Sequence, residues 1–142
     1  MRLAGHIVSS LGAGTIVYLI WHSFTGMAAA VLGGIFIDLD HLFDYAMRYG
    51  FNPAKFSFKK FCDMAKTLDS QKVYFILHSL ELLIIFWLAI FIFKWGIFWL
   101  GLAIGVTMHI FFDQFINRTH PFTYFLTFRI IKGFKTEDIL RI

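Results

Sequence analysis

Four apolar stretches dominate the order of apolar and polar residues along the chain. They cover about residues 3–21, 24–43, 73–93 and 95–116, and each approaches the roughly 20 residues that a helix needs to cross a bilayer. The second is marginal, because only Phe24 to Ile37 is free of charge. Two short breaks, "HSFTG" and "KWG", join consecutive stretches as tight turns, which make antiparallel neighbours. The pattern therefore predicts an all-α membrane protein, a four-transmembrane-helix bundle.

The segments after the second and fourth stretches are amphipathic. In residues 52–69, Asn52 can cap a helix that has Pro53 at its first position. Its apolar stripe, opposite several lysines, consists of Phe58, Phe61, Cys62, Ala65 and Leu68. Residues 121–142 also mix Phe and Ile with basic side chains. Both segments are predicted to be interfacial amphipathic elements.

Composition excludes a soluble domain. The 142 residues are 58% hydrophobic and 20% aromatic, with a mean hydropathy of +0.70, which is more than a soluble domain of this length buries. We expect a single integral-membrane domain over residues 1–142. A signal peptide is the competing interpretation of the first stretch, but His6 interrupts it and three more stretches follow. The single cysteine excludes a disulfide framework and a CxxC metal site.

The basic residues predict the orientation. Of the 13 lysines and arginines, only Lys94 lies at an outward turn; the others precede the first stretch, lie in residues 44–72 or follow residue 116. By the positive-inside rule, both termini are cytoplasmic and the protein is a multi-pass protein of the cytoplasmic (inner) membrane. The net charge of +4 fits attraction to anionic lipid headgroups, and no nucleic-acid partner is expected.

Polar residues inside the apolar stretches fall into one layer. His6, Asp38, His78 and His109 each lie 14 or 15 residues from an aromatic residue at the outer interface, a depth of about 21–23 Å at 1.5 Å per residue. Asp38/His41 and His78/Glu81 are i,i+3 pairs and His109/Asp113 is an i,i+4 pair, so the members of each pair share a helix face. Every stretch thus contributes to one layer near the cytoplasmic edge.

Such a layer predicts a metal centre. Imidazoles and carboxylates that converge in a helical bundle form a ligand set for a divalent metal, with zinc favoured over manganese or iron, as one or two ions. The candidate ligands are His6, Asp38, His41, His78, His109 and Asp113. The alternatives are interfacial histidines for single residues such as His6, and structural ion pairs for the paired residues.

Catalysis at such a centre would need a base that deprotonates a metal-bound water, and recognition of the substrate. Asp40 and Glu81 are the candidates for the base. Asp40 stands about 200° from Asp38 on a continuous helix, so either the helix ends there or Asp40 supports the ligands from behind. Glu81 has the alternative role of stabilising a neighbouring helix. For an anionic substrate, the candidates are Arg118, His120 and Arg129, directly after the last stretch, although an arginine that anchors headgroups is the commoner case.

The same residues carry a resemblance to a known family. His6 before "SSLGAG", Asp38-x-Asp40-His41, "LHS" at 77–79 and His109-x-x-x-Asp113 together resemble the membrane-bound metal-dependent hydrolase family. Its bacterial members include an inner-membrane protein of the DNA-damage regulon, and it is grouped with zinc-dependent phospholipase C and the zinc single-strand nucleases. The resemblance covers roughly residues 5–117 and implies hydrolysis. Val73 and Tyr74 stand in the region where members carry His-Arg, and Glu81 has no counterpart. Either the ligand set is reduced or Glu81 substitutes as a ligand, which leaves the number of metals open.

The leading hypothesis is an integral-membrane metal-dependent hydrolase that cleaves a phosphoester of a membrane lipid or lipid-linked substrate at the cytoplasmic side. The first alternative is a non-catalytic metal-binding or metal-transport bundle, although transport requires polar residues across the whole membrane. A haem-binding electron carrier is disfavoured by the carboxylates. A non-catalytic subunit whose polar layer fixes helix register stays open, as does the oligomeric state.

Overall fold

The described residues of the computed structural model are 3–52, 54, 56–67, 72–117 and 119–139. Their regular secondary structure is helical, apart from an isolated bridge between Lys72 and Lys135, which confirms the all-α prediction. The helices are α1 (Leu3–Trp21), α2 (Phe24–Phe36), α3 (His41–Tyr49), α4 (Phe58–Thr67), α5 (Leu80–Phe93), α6 (Ile97–Ile116), α7 (Leu126–Ile131) and α8 (Thr136–Ile139). A 3₁₀ turn over Ile37–Asp40 joins α2 to α3.

Within the described part of the chain, two helical stretches are long and apolar enough to cross a membrane. They are Phe24–Tyr49, which runs through α2, the 3₁₀ turn and α3, and Ile97–Ile116, which is α6. The apolar helices of the other two predicted spans, Gly5–Trp21 and Leu80–Phe93, are shorter. Both predicted tight turns are present, at residues 22–23 and 94–96.

The third predicted span, 73–93, is wrong over its first part. Residues 73–79 are not helical, and we call this segment the strap. The helix starts at Leu80 because Ser79 is its N-cap: the Ser79 side chain accepts a hydrogen bond from the Leu82 amide (3.3 Å). At 14 residues, α5 is about 21 Å long, and His78 with Glu81 is not a pair within one helix.

Small residues bring α1, α2 and α6 into backbone contact. A Cβ added at Gly101 would meet the carbonyl of Gly26, and one added at Gly105 would meet the carbonyl of Ala30. One added at Gly34 would meet the Ser10 side chain of α1. Such close approach is typical of helices packed in lipid. It sets His6, Asp38 and His109 on neighbouring backbones.

Outside this contact, large apolar side chains are exposed. On α5, Phe91, Ile92 and Phe93 are 66–69% exposed, and Val8 on α1 is 70% exposed. Exposed apolar surface of this extent calls for an apolar partner or a membrane. One polar contact joins α5 to α6, where the Trp87 indole donates to the Thr107 hydroxyl (3.0 Å).

The interfacial segments differ in detail from their prediction. Asn52 accepts a hydrogen bond from the Ala54 amide (3.0 Å), but α4 starts only at Phe58; Pro53 lies outside the described residues. Residues 121–139 fold back onto the strap, where Ile139 is fully buried in a small apolar cluster with Val73 and Phe75. The C-terminal segment is therefore part of the packing around the polar layer.

Candidate metal centre

Three polar side chains from three different elements meet at the centre of the polar layer. The Nε2 atoms of His78, in the strap, and His109, on α6, lie 3.3 Å apart. Asp38, in the 3₁₀ turn, places Oδ1 3.3 Å from the His109 Nε2 and 3.6 Å from the His78 Nε2. We call these three residues the ligand triangle.

The size of the ligand triangle matches a metal site. In a tetrahedral zinc site with nitrogen or oxygen ligands at about 2.0–2.1 Å, any two ligand atoms lie about 3.3–3.4 Å apart. Two sides of the triangle have this length and the third, at 3.6 Å, is slightly longer. The three residues therefore fit one face of a tetrahedral site and leave a fourth position for another ligand.

The hydrogen bonds behind both rings support the same interpretation. The Nδ1 of His109 donates to the Gly34 carbonyl (2.6 Å), and the Nδ1 of His78 lies 3.4 Å from the Asp40 carboxylate. With Nδ1 as the donor in each ring, both Nε2 atoms present lone pairs. Two lone pairs 3.3 Å apart repel unless a cation or a proton lies between them. The donor set therefore fits a bound cation.

His6 and Asp113 flank the ligand triangle. The His6 ring stacks on His109, with centroids 4.2 Å apart. Its Nε2 lies 3.7 Å from the Asp113 Oδ1, and the Asp113 Oδ2 lies 3.5 Å from the His109 Nε2. The His6 Nδ1 is buried and has no hydrogen-bond partner among the described residues. Both residues are therefore placed to complete or share a metal shell.

His41 lies on the other side of His78. The two rings have centroids 5.2 Å apart, and the His41 Nδ1 lies 3.5 Å from an oxygen of Asp44. Three overlapping groups each have potential ligand atoms within 4.8 Å of one another: His6/Asp38/His109, Asp38/His41/His78 and His78/His109/Asp113. All six predicted metal ligands thus belong to one connected cluster that can hold a metal ion.

Asp38 is the exposed member of the ligand triangle. Its side chain is 26% exposed, whereas those of His78 and His109 are 2% and 0% exposed. The other flanking side chains, His6 and Asp113, are each 7% exposed. An external molecule would therefore reach the ligand triangle past Asp38.

Asp40 and Asp44 hold the strap by its amides. Asp40 accepts from the amide of Leu77 (2.6 Å) and from that of His78 (3.4 Å). Asp44 accepts from the amides of Tyr74 (2.6 Å) and Phe75 (3.3 Å). The strap is not helical, so these carboxylates supply partners that its buried backbone needs. Asp40 therefore contacts His78 on the side away from the ligand triangle, as expected of a residue that supports a ligand. This placement does not favour a role as catalytic base.

Arg129, which was predicted to bind phosphate, donates instead to carbonyls of the same strap. It is fully buried and donates from Nη1 to the carbonyls of Tyr74 and Phe75 (2.6 Å each) and from Nη2 to that of His78 (3.1 Å). Its guanidinium also lies 4.6 Å from the centre of the Phe75 ring. Burial lowers the pKa of Arg129 to about 10, against the opposing effect of nearby carboxylates, so it stays charged at neutral pH.

Glu81, the other predicted base, is likewise engaged elsewhere. Its Oε2 accepts from the Leu126 amide and the Ser79 hydroxyl (2.8 Å each). Its Oε1 accepts from the Thr127 amide (2.9 Å) and hydroxyl (2.7 Å). A carboxylate at the start of α7 stabilises that helix through its unpaired amides. These contacts fit the alternative prediction, that Glu81 stabilises a neighbouring helix, better than the role of a base.

His120, another predicted substrate residue, is not a member of the described cluster. His120 accepts from the Phe122 amide through Nδ1 (3.2 Å) and stacks on Phe128 (4.8 Å). Arg118 lies outside the described residues. Sequence reasoning missed Asp44 as a partner of the strap. Its position four residues after Asp40, on the same helix face, was the available signal.

Comparisons with known proteins add no relative: no family model matches the chain, and neither a curated protein nor a solved structure matches it significantly.

Proposed function

We propose that this chain is an integral-membrane metal-dependent hydrolase that cleaves a phosphoester of a membrane lipid or lipid-linked substrate. The observation that carries the proposal is the ligand triangle of Asp38, His78 and His109. Its sides of 3.3, 3.3 and 3.6 Å suit a tetrahedral ion with one position left over, and catalytic zinc sites keep such an open position. Zinc is the proposed metal, and the motif resemblance to the membrane-bound metal-dependent hydrolase family supports the reaction class.

The proposed architecture is a bundle with four membrane crossings, α1, α2–α3, α5 and α6. The apolar outer surfaces of α1 and α5 support the two shorter crossings, because such surfaces are stable in lipid. The strap lengthens the third crossing, since it continues α5 without helical structure. The distribution of basic residues supports a site that opens to the cytoplasmic leaflet of the inner membrane.

In this proposal the side chains have separate tasks. Asp38, His78 and His109 hold the ion, while Gly34 and Asp40 fix the orientation of the two rings through their Nδ1 atoms. When bound, a divalent ion supplies a Lewis acid that polarises a phosphoryl oxygen and makes water more acidic. Asp113, whose oxygens lie 3.5 Å from His109 and 3.7 Å from His6, is placed to accept a proton from an attacking water.

The second candidate function is a metal-binding bundle without catalysis. One observation favours it: Asp40 and Glu81, the predicted bases, both accept hydrogen bonds from backbone amides. The two functions share the metal centre and differ only in turnover.

Metal content and turnover together test the proposal. Detergent-purified protein should contain stoichiometric metal, which a His109→Ala/Asp113→Ala variant should lose. His22→Asn, at the turn between α1 and α2, is the matched control and should keep it. Wild-type protein should release phosphate or a phosphorylated headgroup from a panel of phospholipids and polyprenyl phosphates. Metal-replete protein without turnover would favour the second function, and turnover by a metal-free variant would exclude the mechanism.

A further inference from the structure

An apolar groove of about 330 Å³ lies between α2, α5 and α6. Its walls include Leu32 and Phe36 of α2, Leu82 and Phe86 of α5, and Leu102 and Val106 of α6. All ten lining residues are apolar or glycine, so the groove favours a hydrocarbon ligand. Its volume is at the lower end of the range for small-molecule sites.

The groove meets the ligand triangle through two independent elements. Ile37, which lines the groove, precedes Asp38 in the 3₁₀ turn, and Leu77, which also lines it, precedes His78 in the strap. Asp38 is also the member of the triangle that is open to an external molecule. A groove for hydrocarbon and a site for a cation are therefore lined by consecutive residues of the same two elements.

We propose that the groove binds one acyl chain of a glycerophospholipid and places its phosphate at the metal centre. This inference rests on the proposed function and names where its substrate lies. The charges are complementary, because a cation held by the ligand triangle attracts an anionic phosphate, whereas the groove offers only apolar contacts to the chain.

The lining of the groove favours a hydrocarbon chain, because all ten lining residues are apolar or glycine. A hydrocarbon chain has no polar groups to satisfy, so it can lie against these walls without a desolvation cost.

Photocrosslinking in nanodiscs tests the assignment. The probe is a phosphatidic acid with a diazirine in one acyl chain, and labelled peptides are identified by mass spectrometry. Label should concentrate on the peptides that line the groove. Leu82→Trp fills the groove and should lower this labelling about tenfold, the effect of losing about 1.4 kcal/mol of binding. Leu88→Trp, on the exposed face of the same helix, is the matched control and should label like wild type.

The outcomes separate this inference from the proposed function. Label spread evenly over the lipid-facing surface, or equal labelling of the two tryptophan variants, overturns the acyl-chain site. Displacement of the probe by farnesyl phosphate but not by unlabelled phosphatidic acid also overturns it, in favour of an isoprenoid chain. A disulfide-linked dimer formed by a Leu82→Cys variant overturns it in favour of a second copy. Metal content, measured on the same samples, reports separately on the metal centre.

Discussion

Replacing Arg129 by alanine should release the strap and weaken metal binding at a distance. Arg129 donates three hydrogen bonds to strap carbonyls, two of 2.6 Å and one of 3.1 Å. A hydrogen bond with a charged partner contributes about 1.5–3 kcal/mol, but such bonds in one network do not add. Breaking a buried charged network typically costs about 3–5 kcal/mol, which is the loss of unfolding free energy that we expect.

Part of this loss should appear at the metal. The third carbonyl belongs to His78 itself, so the released strap lets the His78 ring move relative to His109. Loss of a group that orients a metal ligand commonly weakens affinity about 10–100-fold. Arg129→Lys keeps the charge but lacks the planar guanidinium that donates to three carbonyls. Its unfolding free energy and metal affinity should therefore lie between those of Arg129→Ala and wild type.

Thermal unfolding and metal competition with a chromogenic chelator measure both effects. Lys132→Ala is the control, because it removes a positive charge at the end of the same helix. Lys132 forms an exposed ion pair with Asp138 at 3.8 Å, which contributes about 0–1 kcal/mol. If Arg129→Ala matches Lys132→Ala in both melting temperature and metal affinity, the strap is not held by Arg129 and the reasoning fails.

Two further substitutions test the packing and the role of Glu81. Gly105→Ala adds a Cβ against the backbone carbonyl of Ala30, so α2 and α6 must separate, and thermal unfolding should show a loss of about 1–3 kcal/mol. Gly12→Ala, with nothing within 4 Å of the added Cβ, should leave stability unchanged or slightly higher; equal behaviour of the two variants would contradict close helix contact. Glu81→Gln should lower stability by about 1 kcal/mol through weaker stabilisation of α7 and leave metal content and turnover intact. A fall in turnover of about 10²-fold or more would instead identify Glu81 as the base.

The sequence predicts the local elements of the fold well. α1 covers the predicted residues 3–21, and both tight turns occur where polar residues interrupt apolar runs. These features depend on neighbouring residues alone. The start of α5 was missed because Val73 to Leu77 are mostly apolar and continue the hydrophobic run, although Ser79 carries the signal of an N-cap.

What the sequence could not give is the source of the strap's hydrogen bonds. Asp44 and Tyr74 are 30 residues apart, and Arg129 and Tyr74 are 55 apart. Patterns of neighbouring residues do not predict hydrogen-bond partners that are this far apart in the sequence. A basic residue after the last span usually anchors headgroups, and only the folding back of the C-terminal segment turns Arg129 inward.

The candidate ligands could be predicted from two features together, the residue type and the depth of each residue along its apolar stretch. A polar side chain in an apolar stretch needs a partner, and equal depth on several helices makes those side chains partners of one another. Their exact roles depend on the 3₁₀ turn, which has about 3.0 residues per turn instead of 3.6. On a continuous α-helix the two carboxylates would point to nearly opposite sides, whereas in the 3₁₀ turn they are separated by about 120°. Asp38 can therefore face the ligand triangle while Asp40 accepts from the adjoining strap.

The acidic end of the second apolar stretch and the strap depend on each other. Asp38 faces the ligand triangle. Asp40 accepts from the amides of Leu77 and His78, which a helix beginning at Val73 would have used internally, whereas Asp44 accepts from those of Tyr74 and Phe75, which such a helix would leave unpaired in its first turn. A helical strap would therefore leave Asp40 without its donors, and a strap without the two carboxylates would leave buried amides unpaired. Non-helical backbone is tolerated in a membrane where protein groups satisfy it. The non-helical strap places His78 ahead of the first turn of α5. From there its ring lies close enough to His109 for both rings to bind one ion.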